Sequence, residues 1–249
     1  GIHIGHRAVI ESAVQWAKEH DAAPAVFTSK LPMVNVVDIK GGFAANAVPD
    51  KAEAWVKAEA LESAGRVEAV KEGELWHLTA TGVGGHASLP EGTVNAIGVL
   101  VDYILDNGIA AAEEKRFYEL VSLLNNDWTG AALNVAADDG LFEPLTIVGG
   151  VIGIEDGHVF QTIDSRYPTN MSGSKIARAI QRTAGDAAEI TIERDAEPFY
   201  MALDNPSVQV CINAYNDVTG ENAKPYTIGG GTYARDFPNA VSFGPEHPE

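Results

Sequence analysis

The chain has one cysteine, Cys211, among its 249 residues. No intrachain disulfide can form, a cysteine metal cluster is excluded, and a reducing, cytoplasmic location is expected. Positive charge is also scarce: 17 Lys and Arg face 35 Asp and Glu, for a formal net charge of −18. Such a surface repels phosphate backbones and argues against a nucleic-acid partner. No apolar run approaches the ~18 residues that mark a membrane span, so none is expected. Residues 1–14 do not read as a signal peptide, because acidic and polar residues interrupt the apolar ones. What the chain does have is a 45% hydrophobic composition. That is enough to bury a core in one large domain or two small ones.

Residues 8–20 carry Val9, Ile10, Ala13, Val14 and Ala17 at helical spacing, with Pro24 shortly after. Short alternating runs at 33–39 and 52–58 read as strands around a connection containing Gly41-Gly42 and Pro49-Asp50. Residues 75–81 form another strand candidate, followed by the turn Gly82-Val83-Gly84-Gly85. Helical periodicity covers 93–105 and 113–124. Residues 145–154 and 158–166 read as a hairpin turning at Glu155-Asp156-Gly157. A helix at 174–185, a strand at 190–194 and a helix at 208–219, closed by Gly220, complete the pattern. The mixture predicts an α+β or α/β fold. Its order of strand, helix, two strands, helix and strand is ferredoxin-like over roughly 42–197.

Three features carry candidate chemistry. Gly84-Gly85 permits a sharp bend that projects His86, whose imidazole could donate to a developing oxyanion. A polar loop histidine is the plainer alternative. Arg166 closes a strand candidate and could grip a carboxylate with two parallel N–H bonds, or simply lie solvated at a strand end. Gly229-Gly230-Gly231-Thr232 could form a nest of backbone N–H groups for an anion, but it lacks the lysine of a nucleotide-binding P-loop. His3-Ile4-Gly5-His6 spells a nucleotidyl-transferase signature without a preceding strand to place it, and no third zinc ligand follows His3 and His6 at a recognisable spacing.

Four segments, in order, resemble one family. They are Gly41-Gly42-Phe43-Ala44-Ala45-Asn46-Ala47-Val48-Pro49-Asp50-Lys51-Ala52-Glu53-Ala54; Gly85-His86-Ala87-Ser88-Leu89-Pro90-Glu91 with Asn95-Ala96; Asp164-Ser165-Arg166-Tyr167-Pro168; and Gly229-Gly230-Gly231-Thr232-Tyr233-Ala234-Arg235 with the Phe237-to-Pro245 stretch. Together they are similar to the zinc aminoacylase/carnosinase metallopeptidases, and within them to dipeptidases of the peptidase V type.

The resemblance implies a ferredoxin-like lid inserted in a catalytic α/β domain that holds two zinc ions. Carried over, it divides the chain into a partial catalytic segment at 1–41, a lid at 42–197 and a C-terminal catalytic segment at 198–249. His86 would stabilise the oxyanion. Asn46, Arg166, Gly230, Gly231 and Thr232 would hold the ends of a short peptide, chiefly its carboxylate. The family's H-x-D motif, bridging aspartate and Glu-Glu pair are not found ahead of the lid, where the resemblance would put them; the sequence's Glu113-Glu114 lies inside the lid segment. Lys30 stands where a ligand aspartate would align, and His247 comes too early in its turn to be the last ligand. The chain is therefore expected to be a truncated or degenerate dipeptidase that holds no zinc by itself. A non-catalytic module that binds peptide carboxylates is the alternative. The oligomeric state is not legible in the sequence.

Overall fold

A computed structural model describes residues 24–228 and 232–244. The expected helix at 8–20, with His3 and His6, and the glycines Gly230 and Gly231 lie outside these residues.

One eight-stranded sheet organises the chain. Its strands are β1 (Pro24–Ser29), β2 (Val36–Gly41), β4 (Lys51–Val56), β5 (Val67–Glu72), β6 (Leu75–Thr81), β8 (Thr146–Glu155), β9 (His158–Arg166) and β10 (Ala188–Ile192). They lie in the order β10-β1-β9-β8-β2-β4-β6-β5, and every pairing is antiparallel. Two two-residue strands, β3 (Ala47–Val48) and β7 (Gly85–His86), pair separately. Helices α1 (Ala96–Asp106), α2 (Ala112–Asn126) and α3 (Gly173–Ala184) pack on β4 and β6, on β8 and on β10 respectively. Helix α4 (Pro206–Thr219) follows in the C-terminal segment. The architecture is α+β.

The helices form where caps and apolar spacing agree. Asn95 caps α1 by accepting from the Ile97 N–H. Asn205 does the same for α4 through Ser207, with Pro206 opening the helix and Gly220, at φ 72°, closing it. Leu100, Ile104, Phe117 and Leu124 meet Ile39, Leu78 and Ile147 in the core between helices and sheet. The Phe27 ring lies tilted against that of Phe117, with centroids 5.5 Å apart. Each such side chain contributes about 1.5–3 kcal/mol on burial. Leu100→Ala, at a position with no exposed surface, should cost roughly 2–5 kcal/mol.

Two differences from the sequence reading have clear causes. β1 begins at a proline, which sequence rules read as a breaker, yet proline is tolerated as the first residue of a strand. β1 thereby joins the same sheet as β9 and β10. β2 starts at Val36 rather than Met33 because the buried Glu114 carboxylate captures the preceding amides: Val34 and Asn35 donate to it, with Val36 and Ala111. Among the described residues, no helix is long and apolar enough to cross a membrane.

Candidate functional site

The face of the sheet opposite the helices carries the site. Residues two apart on a strand share a face. On β9 that places Thr162, Asp164 and Arg166 together. On β8 it groups Thr146, Val148 and Gly150, since Thr146 pairs with Arg166 and Val148 with Asp164. The small β3–β7 layer covers this face, its Val48 and Ala87 burying Val148. The pairing of Ala47 with His86 and the Ala87 N–H bond to the Asn46 carbonyl hold the two motif segments side by side.

Asn46 is buried, and its Nδ2 lies 3.3 Å from His86 Nε2. The other ring nitrogen, Nδ1, accepts the Ser88 backbone N–H at 3.1 Å and lies 2.7 Å from the Ser88 hydroxyl. A nitrogen that accepts a backbone N–H carries no proton, so the neutral ring holds its proton on Nε2. The Asn46 amide, whose oxygen and nitrogen exchange by a half-turn, satisfies that tautomer with its oxygen toward the ring. Burial and the Arg166 guanidinium hold His86 below the ordinary histidine range, and Asp164 pulls the other way. The neutral ring is thereby favoured, with its Nε2–H held at Asn46, and a ligand oxygen would receive that proton's bond by taking the place of the amide.

Arg166 ends β9 and is bound to Asp164 through two bonds, Nε to Oδ1 at 2.7 Å and Nη2 to Oδ2 at 3.2 Å. Burial pushes the Asp164 carboxyl up, while Arg166 and then His86 oppose that push. The guanidinium fork is the counter-charge to that buried carboxyl. Next along the chain, the Tyr167 hydroxyl bonds to Asp195, and burial raises its pKa, with Asp195 adding to the rise.

A cleft of about 940 Å³ opens between this face and the C-terminal segment. Ser88, Thr146, Arg166 and Thr232 line it, as do Tyr215 and Phe243. Thr232 opens a short 3-10 helix (Tyr233–Asp236) and accepts from the Ala234 N–H. The structure thus brings Asn46, His86 and Arg166 into one neighbourhood and sets Thr232 on the same cleft as Arg166. Ser88, Asp164 and Thr146 were given no role from the sequence. The first two stand inside the motifs themselves, two residues from His86 and Arg166, a spacing that on extended backbone signals a shared face.

The described residues do not fit a zinc centre. Among them no three His, Cys, Asp or Glu side chains are grouped to hold a metal ion, and Asp164 and Glu114 are committed to Arg166 and to backbone amides.

A scan against protein-family models finds no match. Curated relatives do match: over most of its length the chain is similar to proteins named dipeptidases. It is 29% identical over 232 residues, 87% of the chain, to "Putative dipeptidase YtjP" of Bacillus subtilis. It is 28% identical over 241 residues to "Putative dipeptidase SAUSA300_1697" of Staphylococcus aureus, and 36% identical over 94 residues to "Putative dipeptidase SSP1012" of Staphylococcus saprophyticus. The chain spans about half the length of the first and the second of these, 49% in each case.

Proposed function

We propose that this chain forms the substrate clamp of a dipeptidase, a hydrolase acting on short peptides with a free carboxylate. The observation that carries the reading is the His86 ring. Ser88 fixes its proton on Nε2, Asn46 flanks that nitrogen, and the cationic Arg166 lies close enough to shift its proton affinity. A peptide in the cleft would place its terminal carboxylate at Arg166 and Thr232. Gly230 and Gly231, which precede Thr232 in the sequence, would add backbone donors. The carbonyl of the peptide bond would accept from His86 Nε2–H, a hydrogen bond that strengthens as negative charge develops on that oxygen.

In this reading the sheet unit corresponds to the ferredoxin-like lid of the zinc aminoacylase/carnosinase enzymes, with 198–249 contributing to a catalytic layer. Two zinc ions are part of what that resemblance implies. The described residues supply orientation and charge rather than metal ligands. A cytoplasmic location suits the lone thiol of Cys211.

The test is a calorimetric titration of the chain with a dipeptide and with its C-terminal amide. Binding should require the free carboxylate and weaken in Arg166→Lys. Equal affinity for acid and amide would sink the clamp. Hydrolysis of the dipeptide with zinc added would make the chain a catalyst. Binding without turnover would make it a peptide-binding module.

A further inference from the structure

Strand β8 contains an irregularity that no motif explains. Gly149 pairs with Ile163 and Ile152 with Gln161, so β8 has two intervening residues where β9 has one. This is a β-bulge. The ladder bond it breaks is replaced by the Thr162 hydroxyl, which accepts the Val151 N–H at 2.9 Å.

Gly149, the last paired residue before the bulge, and Gly150, inside it, face opposite layers, and both are pressed close. A Cβ on Gly149 would meet Gln161 Nε2 at 2.1 Å and Asn125 Oδ1 at 2.2 Å. These belong to an amide network on the helix side, in which Asn95 and Gln161 are buried and Asn125 is half-buried. Asn125 and Gln161 exchange bonds of 3.1 and 2.9 Å. Asn95 donates to Asn125 and to the Gly149 carbonyl, both at 2.8 Å. On the site side, a Cβ on Gly150 would meet the Ala45 carbonyl oxygen at 2.2 Å and its Cα at 2.6 Å. Gly42, at φ +72°, lies against the Gly150 carbonyl in the same way. The backbone of residues 42–46 therefore rests directly on the bulge, and its last residue is Asn46.

We propose that the β8 bulge is a positioning device for the Asn46–His86 pair: Gly150 seats the loop that delivers Asn46, and the amides of Asn95, Asn125 and Gln161 hold the bulge in shape. Its importance for substrate rests on the clamp reading above. Its geometry does not. A buried network in which every amide is paired is rigid, because any displacement leaves a buried donor or acceptor unsatisfied. That rigidity passes through backbone contact to Asn46, and from Asn46 to the ring. Asn95 thus has a second use beyond capping α1.

The experiment reads the His86 ring directly, in the whole chain, by ¹⁵N NMR of the imidazole nitrogens, with His86→Gln identifying the resonances. Asn46→Ala should displace the Nε2 resonance. Gly150→Ala should displace it in the same direction, and the double variant should go no further than the larger single change. Gly153→Ala is the control. It lies on the same strand, its added Cβ would come within 3.0 Å of the Phe160 ring, and it should lower the melting temperature while leaving the His86 resonances in place. Gln161→Met removes an amide from the network at similar volume and should also displace Nε2; it decides the matter should Gly150→Ala not fold. The proposal is overturned if folded Gly150→Ala or Gln161→Met leaves the resonance where it was, or if Gly153→Ala moves it equally. No peptide enters this measurement. Failure of dipeptide binding with the expected resonance changes would reject the clamp and keep the positioning device, and the reverse pattern would do the opposite.

Discussion

Arg166 holds Asp164, two residues back on the same strand, by two parallel bonds, and the Asp164 side chain has no exposed surface. The residue best suited to bind a ligand carboxylate is thus already the partner of an internal one. Removing either member leaves a buried charge uncompensated, which costs about 3–5 kcal/mol. Arg166→Ala should therefore lower the chemical denaturation midpoint markedly, as should Asp164→Asn. Arg166→Lys keeps the charge and loses the fork, so it should lose less stability while still weakening dipeptide binding. Equal midpoints for Arg166→Ala and Arg166→Lys would contradict the pair's structural role.

The His86 ring makes an acid-range prediction. Burial and Arg166 lower its proton affinity on folding, from an ordinary value of 6.5. As pH falls below about 6.5, the unfolded chain takes up the proton first, so stability declines through that window. Above it both states are neutral and no difference remains. His86→Gln should flatten the melting temperature over this range, measured by scanning calorimetry from pH 7.5 downward. A slope identical to that of the unaltered chain would mean that other groups produce it.

Thr146 is 6% exposed, and its hydroxyl has no hydrogen-bond partner among the described residues. An unpaired buried hydroxyl is destabilising, and Val is nearly its isostere. Thr146→Val should raise the melting temperature by roughly 2–4 °C, the equivalent of about 1 kcal/mol in a domain of this size. A lower melting temperature would show that the hydroxyl has a partner.

The Asp139 carboxylate accepts the Leu141, Phe142 and Thr169 amides and the Thr169 hydroxyl. The Thr169 hydroxyl bond, first among these, holds its pKa well below the ordinary 3.8. A depressed carboxyl contributes stability above its unfolded value and loses it as pH falls below that value. The loop at the cleft mouth should accordingly open to limited proteolysis below pH 4, and Asp139→Ala should be cleaved there at neutral pH as well.

Much of the fold could be read from the chain because local signals agreed. The hairpin of β8 and β9 turns at Asp156 and Gly157, both at positive φ, as its Asp-Gly pair demands. α2 and α4 follow their apolar spacing to within about two residues. β1 and β5 were not legible. One opens on a proline, and the other, with Glu68, Lys71 and Glu72, is an edge strand whose charges hide the alternation. Asn46, His86 and Arg166 were legible as motif members. The Asp164 bond and the Ser88 tautomer were not, because they are facts about which side chains share a face. The bulge at Gly150–Val151 was not either, since the glycine pair Gly149-Gly150 announces a close approach in a strand without naming what approaches.

β1 and β10 are neighbours in the sheet and run in opposite directions, with Ala25 paired to Ile192. The strand that begins the sheet unit and the one that completes it therefore meet at one corner, only about 5 Å apart across the ladder. A unit built this way should tolerate circular permutation. Joining residue 192 to residue 24 through a short glycine linker and opening the chain at the exposed turn of Gly73 should preserve the sheet. It would also allow residues 24–192 to be grafted into a surface loop of an unrelated host without stretching either junction.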